Sequence, residues 1–264
     1  MTGLEGNNLK RTPDDNNVFA NAVSRFEKNE DLATQDVSTT LLPTPMHVEA
    51  GKGKVDIADG IALPKDAFDA TQFAAIQDRA EVVGVDVRGD LPVSITVVPA
   101  DFTGELAKSG AYEMSIKGDG IAIKAFDQAG AFYAVQSIFG LVDSQNADSL
   151  PQLSIQDAPR FDYRGVMVDV ARNFHSKDAI LATLDQMAAY KMNKLHLHLT
   201  DDEGWRLEIP GLPELTEVGA NRCFDTQEKS CVLPQLGSGP TTDNFGSGYF
   251  SKTDYVEILK YAKA

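Results

Sequence analysis

Apolar and polar residues alternate strictly late in the chain. Leu195, Leu197 and Leu199 interleave with His196 and His198, the period of two that a strand requires. Thr200, Asp201, Asp202 and Glu203 follow with no spacer, so the strand delivers imidazoles and carboxylates to its carboxyl end. Upstream, Tyr163 to Val170 is apolar on both faces, the pattern of a strand buried in a parallel sheet. Between the two strands, Ile180, Leu184, Met187 and Ala188 recur at helical spacing, with Ser176 placed to cap the helix and Asp178 in its first turn. A last helix is expected after Ser251, with Tyr255, Ile258, Leu259 and Ala262 on one face. The order β-α-β-loop-α is the opening of an α/β barrel, whose catalytic groups collect at the carboxyl ends of its strands.

The preceding region reads differently. Val55 and Ile57 mark a strand, and Phe73, Ile76, Ala80 and Val83 an amphipathic helix. Val93, Ile95 and Val97 alternate up to Pro99. Tyr112, Met114 and Ile116 turn at Gly118-Asp119-Gly120 into Ile121, Ile123 and Ala125, a hairpin signal. Phe132, Val135, Phe139 and Val142 form a second helical stripe. Strands and helices in this order make a small α+β domain with its helices on one sheet face. Residues 1–40 are polar and acidic, apart from a short helix expected from Val18 to Glu27, and read as a linker or the tail of a preceding domain. The expected organisation is therefore 1–40 linker, 41–158 small α+β domain, and 159–264 the start of a (β/α)8 TIM barrel. A whole barrel takes about 250 residues, so the 104 residues from Phe161 to Ala264 are read as its first part only.

Charge narrows the partners. Lys and Arg number 24 against 39 Asp and Glu, a net charge of −15, which disfavours nucleic acid and anionic membranes. No apolar run reaches the roughly 18–20 residues that span a bilayer, so no membrane insertion is expected. Cys223 and Cys231 are the two cysteines. They are free thiols, a disulfide stapling a surface loop, or, least favoured, part of a zinc site. The disulfide reading implies an oxidising compartment.

The chemically loaded residues each have two readings. Arg164 opens the first barrel strand inside an apolar run, where an arginine is costly unless paired. It is an ion-pair partner at the barrel floor, with Asp169 the candidate acid, or a fork of donors for vicinal hydroxyls or a carboxylate. His196 and His198 share a strand face. They hold a metal, as in a metal-dependent amidohydrolase-like barrel, or they are packed, hydrogen-bonded histidines. Asp201 and Asp202 point opposite ways on an extended segment, so one faces a site and the other holds the loop. Glu203 suits a general acid by residue type alone. Trp205, the single tryptophan, stacks on a sugar or packs beside the strand end.

From about Leu42 onward the chain resembles the family-20 glycoside hydrolases, the β-N-acetylhexosaminidases, and most of all the bacterial chitobiase type. The resemblance is carried by Arg164-Gly165 with Asp169 and Arg172-Asn173-Phe174, and by the run His196 to Arg206. It continues through Ile209-Pro210-Gly211-Leu212-Pro213-Glu214-Leu215 and the segment from Arg222-Cys223 to Cys231-Val232-Leu233-Pro234-Gln235. Residues 112–142 resemble the α+β domain that precedes the barrel in that family. The resemblance implies removal of terminal non-reducing N-acetylhexosamine from oligosaccharides, with retention of configuration and without metal or cofactor. The substrate's own acetamido oxygen is the nucleophile, an exception to the two-carboxylate scheme. It implies that Arg164 binds sugar hydroxyls and that Asp201 supports a carboxylate–histidine–glutamate relay. Asp169, Asp202 and Trp205 become structural, and Cys223 and Cys231 a disulfide. The family's catalytic Asp-Glu pair belongs on a later strand, so no general acid is assigned within these 264 residues, and the chain alone is expected not to turn over substrate. A non-catalytic sugar-binding relic that keeps Arg164 is the remaining alternative. A periplasmic or secreted location follows as an expectation from the acidic balance and the cysteine pair. Oligomeric state and the preference for gluco or galacto substrates stay open.

Overall fold

A computed structural model describes residues 41–142, 148–233 and 238–263. The chain separates into a unit of residues 1–37 and a second of 38–264. The polar stretch 1–40 and its expected helix lie outside the described residues.

The second unit opens with a six-stranded mixed sheet. Its strands are β1 (His47–Asp56), β2 (Ile61–Ala62), β3 (Leu91–Val97), β4 (Tyr112–Lys117), β5 (Gly120–Ala125) and β6 (Ser149–Asp157), in the order β1-β6-β4-β5-β3-β2. The hairpin forms where expected, with Lys117 paired to Gly120. Two helices, α1 (Ala70–Val83) and α2 (Gln128–Leu141), bury Phe73, Ile76, Val135, Ile138 and Phe139 in one core with Met114, Ile116, Ile121, Ile123 and Ile155 of the sheet. Asp69 and Gln72 close a reciprocal capping box on α1, and Gly84 ends the helix in the left-handed region at φ 79°, a conformation that costs glycine no Cβ clash.

The sequence pattern missed β6, which lies between β1 and β4. Pro151 interrupts its alternation and has no N–H to give a ladder. The sheet accommodates it where the β1–β6 register slips between Ala50 and Lys54, with Pro151 opposite Lys54.

The barrel portion consists of β7 (Gly165–Asp169), α3 (Lys177–Ala189), β8 (Lys194–His198) and α5 (Lys252–Lys263). Ser176 caps α3 by accepting from the Ala179 N–H at 3.3 Å, and the Ser251 hydroxyl does the same for Asp254 at 3.0 Å. β7 and β8 are parallel, with Val166 opposite Leu195, Val168 opposite Leu197 and Asp169 opposite His198. Val168, Leu195 and Leu197 pack toward the helices, around Ile180, Leu184 and Ile258. Met167 and His196 point the other way, and both are exposed. The expectation that this first strand is buried on both faces is corrected here, because only its helix-side face is covered. A short hairpin, β9 (Thr200–Asp201) with β10 (Gly204–Trp205), and the single turn α4 (Glu214–Glu217) follow β8.

One buried polar group joins the two layers. Lys191 turns the chain out of α3 at φ 59° and is 7% exposed. Its Nζ donates to Asp157 Oδ2 at 2.9 Å and to Tyr112 Oη at 3.0 Å, while Tyr112 and Ser137 share a 2.7 Å hydrogen bond. Burial holds the lysine below its ordinary pKa, with Asp157 pulling the other way, and the same burial raises the Tyr112 phenol.

Candidate active site

The parallel register brings the last residues of β7 and β8, Asp169 and His198, side by side. The chain leaving β7 bends at once. The amides of Val170 and Ala171 both bond to the His198 carbonyl at 3.1 Å, and Arg172 swings back over the strand ends. Its Nη1 donates to Asp169 Oδ2 at 2.6 Å and its Nη2 lies 2.7 Å from Asp201 Oδ2. Its Nε is 3.7 Å from Glu203 Oε1. His198 Nε2–H donates to the same Asp201 oxygen at 2.8 Å, and the Asp202 amide bonds Asp201 Oδ1 at 2.8 Å.

These contacts set the protonation of the cluster. Asp201 is held far below the ordinary carboxylate range by hydrogen bonds from the Asp202 carboxyl, from His198 and from the Asp202 amide. The contact with the Asp201 carboxyl, then loss of hydration and the neighbouring negative charge, push Asp202 up. For Asp169, burial acts upward but is outweighed by the amide and guanidinium of Arg172, and its pKa falls. The hydrogen bond to Asp169, with the field of Asp201, raises Arg172. The result is a fixed cation surrounded by ionised acids, with the Arg172 side chain still 52% exposed.

Two buried arginines hold this platform from beneath. Arg206 is 0% exposed. Its guanidinium donates to the carbonyls of Val170 (2.9 Å), Ala171 (2.8 Å), Ala220 (2.9 Å) and Gly248 (3.1 Å). Arg222, 2% exposed, donates to the Glu203 carbonyl at 3.1 Å, to Ala171 at 3.2 Å and to the Arg172 carbonyl. Burial brings the Arg206 pKa down to about 10 and lowers that of Arg222. Beside Arg222, Cys223 and Cys231 form a disulfide. The Asp225 carboxylate organises the closed loop by accepting from the amides of Gln227, Lys229 and Ser230, each at 3.0 Å.

Arg164 lies at the other end of β7. Its Nε donates to the Lys191 carbonyl (2.7 Å), its Nη1 to the Phe161 carbonyl (2.7 Å) and its Nη2 to Tyr133 Oη (2.8 Å), with the ring 5.5 Å away. At ~3.3 Å per strand residue it stands roughly 15 Å from the Asp169 end. Neither the pairing with Asp169 nor a hydroxyl-binding fork at the strand ends fits that position. Arg164 is a floor residue, and Arg172 occupies the place sequence reasoning had reserved for it. The signal for Arg172 was an i, i+3 spacing from Asp169, legible only once the intervening residues are known to turn.

Glu203 is 5% exposed and wedged between arginines, a position unlike the open one that the general-acid role suggested by its residue type alone would need. Trp205 is half-buried, and its indole N–H is spent on the Leu207 carbonyl. Asp202 is exposed at the hairpin. His198 belongs to the cluster, whereas His196 sits one pleat below. Among the described residues no group of three or more His, Cys, Asp or Glu side chains is gathered as a metal would require.

The family-20 glycosyl hydrolase catalytic domain matches residues 161–264, and domain 2 of the same family matches residues 38–158. The chain belongs to glycoside hydrolase family 20. Among curated family-20 relatives, an N,N'-diacetylchitobiase of Vibrio harveyi is 98% identical over the whole chain, and the aligned part is 30% of that protein. A beta-hexosaminidase of Vibrio vulnificus is 50% identical over 98% of the chain and again 30% of its own length. The chain thus spans about a third of the length of these relatives. A family-20 exo-β-N-acetylglucosaminidase from Vibrio harveyi, solved with N-acetylglucosamine, superposes with a TM-score of 0.68 at 28% identity. That match covers 88% of the chain and 36% of the solved one.

Proposed function

We propose that the chain carries the sugar-gripping start of a β-N-acetylhexosaminidase barrel, acting on terminal non-reducing N-acetylhexosamine of chitooligosaccharides or glycans. The observation that carries this is Arg172: a half-exposed guanidinium at the carboxyl ends of two parallel barrel strands, held by Asp169 and Asp201 at 2.6 and 2.7 Å. A cation so fixed presents planar N–H donors to vicinal hydroxyls without losing side-chain freedom on binding. Asp201, ionised at any physiological pH, serves as the anionic base of a relay toward the general acid. That acid and its partner aspartate are not assigned to residues 1–264, so the chain alone binds and orients but does not hydrolyse. The disulfide supports a periplasmic or secreted location.

The test uses the longest gene product that contains this sequence, with 4-nitrophenyl N-acetyl-β-glucosaminide as substrate. Arg172→Gln removes charge-assisted hydrogen bonds worth about 1.5–3 kcal/mol, so KM rises roughly 10- to 150-fold. Arg164→Gln, recovered folded, leaves KM within about twofold. The opposite ranking of the two variants refutes the assignment, and hydrolysis by the purified 264-residue chain refutes its inactivity.

A further inference from the structure

Two carboxylates hold the ends of the Arg172 guanidinium, and two points leave its plane free to rock about the line through them. A third contact, the ion pair of Glu203 Oε1 at 3.7 Å from Nε, lies off that line and opposes the rotation by charge attraction. The Glu203 side chain is 7% exposed. Its other oxygen, Oε2, lies 3.5 Å from Arg222 Nη2 without making a hydrogen bond. Burying a carboxylate costs free energy unless its charge is compensated. Arg222 does not require that carboxylate as its counter-ion, judging from Arg206 next to it. Arg206 is fully buried and satisfied by four backbone carbonyls, with no acid in salt-bridge contact among the described residues. What distinguishes the surroundings of Arg222 is Arg172. The Arg222 guanidinium holds the Arg172 carbonyl, and Glu203 sits between the two side chains.

We propose that Glu203 is a positioning residue for substrate binding, orienting the Arg172 guanidinium by tying its Nε edge to the buried Arg222. Glu203 does not touch sugar. It sets the plane in which Arg172 meets the hydroxyls, so its loss shows in KM before kcat. This rests on the reading of Arg172 as the hydroxyl-binding residue.

The experiment measures KM and kcat of the longest gene product containing this sequence on 4-nitrophenyl N-acetyl-β-glucosaminide, for Glu203→Gln, Arg172→Gln and the double variant. Circular dichroism and thermal melts confirm folding. Glu203→Gln is expected to raise KM about five- to tenfold, on the order of 1 kcal/mol, with a much smaller change in kcat. In the Arg172→Gln background the same substitution changes KM less than about twofold, because the residue it acts through is gone. Glu203→Asp, which keeps the charge but shortens the reach, restores part of the loss. An unchanged KM in folded Glu203→Gln overturns the proposal, as does an equal effect in both backgrounds. Failure of both Glu203 variants to fold assigns a purely structural role and overturns it too. If Arg172→Gln itself leaves KM unchanged, it is the binding role of Arg172 that fails.

Discussion

Replacing Lys191 by Met tests the junction between the α+β layer and the barrel floor. Met keeps the apolar stem that Lys191 buries and removes the ammonium 2.9 Å from Asp157 Oδ2. Asp157 is 9% exposed, and its remaining donors, the Tyr112 hydroxyl and the Met46 amide, both sit at 3.3 Å. Breaking one side of a buried pair costs about 3–5 kcal/mol. A ceiling comes from proton uptake: neutralising an ordinary aspartic acid (pKa ~3.9) at pH 7 costs about 4 kcal/mol. The two figures agree, so Lys191→Met is expected to lose about 4 kcal/mol at pH 7. The sign with pH follows from the same step. With the ammonium gone, the buried carboxyl favours its neutral form, so the penalty is full at high pH and shrinks as pH falls. At pH 5 the ceiling is about 1.5 kcal/mol. Urea unfolding of the chain, followed by the fluorescence of Trp205 and by circular dichroism, reads both values. A loss under about 1 kcal/mol at pH 7 refutes the reasoning, because the pair is then not desolvated. So does an equal loss at pH 5 and pH 7. Adding Asp157→Asn to Lys191→Met is expected to recover about half of the deficit, since no charge is left stranded.

Two further outcomes follow from local geometry. Gly130→Ala places a methyl 2.1 Å from the Ala111 carbonyl oxygen, so it destabilises by about 1–3 kcal/mol although alanine is the better helix former by ~1 kcal/mol. A melting temperature equal to or above that of the parent contradicts the packing. Asp225, bonded by three amides of its loop, has its pKa lowered to about 2. Loop order contributed by that carboxylate is complete above the ordinary range near 4 and is lost as pH falls through 2, and a carboxyl NMR titration with a midpoint near 4 argues against it.

Much of this molecule is legible in its periodicity. The leucine–histidine alternation of β8, the stripe of α3 and the Asp-Gly hairpin are local patterns, because side-chain period follows backbone geometry within a few residues. The placement of Asp201 at a strand end is equally local. β6 was not legible, since its proline breaks the alternation, and a bulge in a strand about 100 residues earlier accommodates it.

The choice between Arg164 and Arg172 belonged to the tertiary structure. Both flank β7, and residue type does not separate them. One end of that strand abuts Tyr133 and the turn at Lys191, which consume the donors of Arg164. The other end meets the carboxylates that follow β8. Parallel pairing of two strands some 30 residues apart in sequence decides which arginine meets the acids. The buried clamp of Arg206 and Arg222 is likewise written only as two arginines 16 residues apart, with nothing local to show that they act together. It acquires meaning only when the fold turns the carbonyls of Val170, Ala171 and Arg172 toward them, because buried donors and acceptors pair by proximity in space and leave no period in sequence.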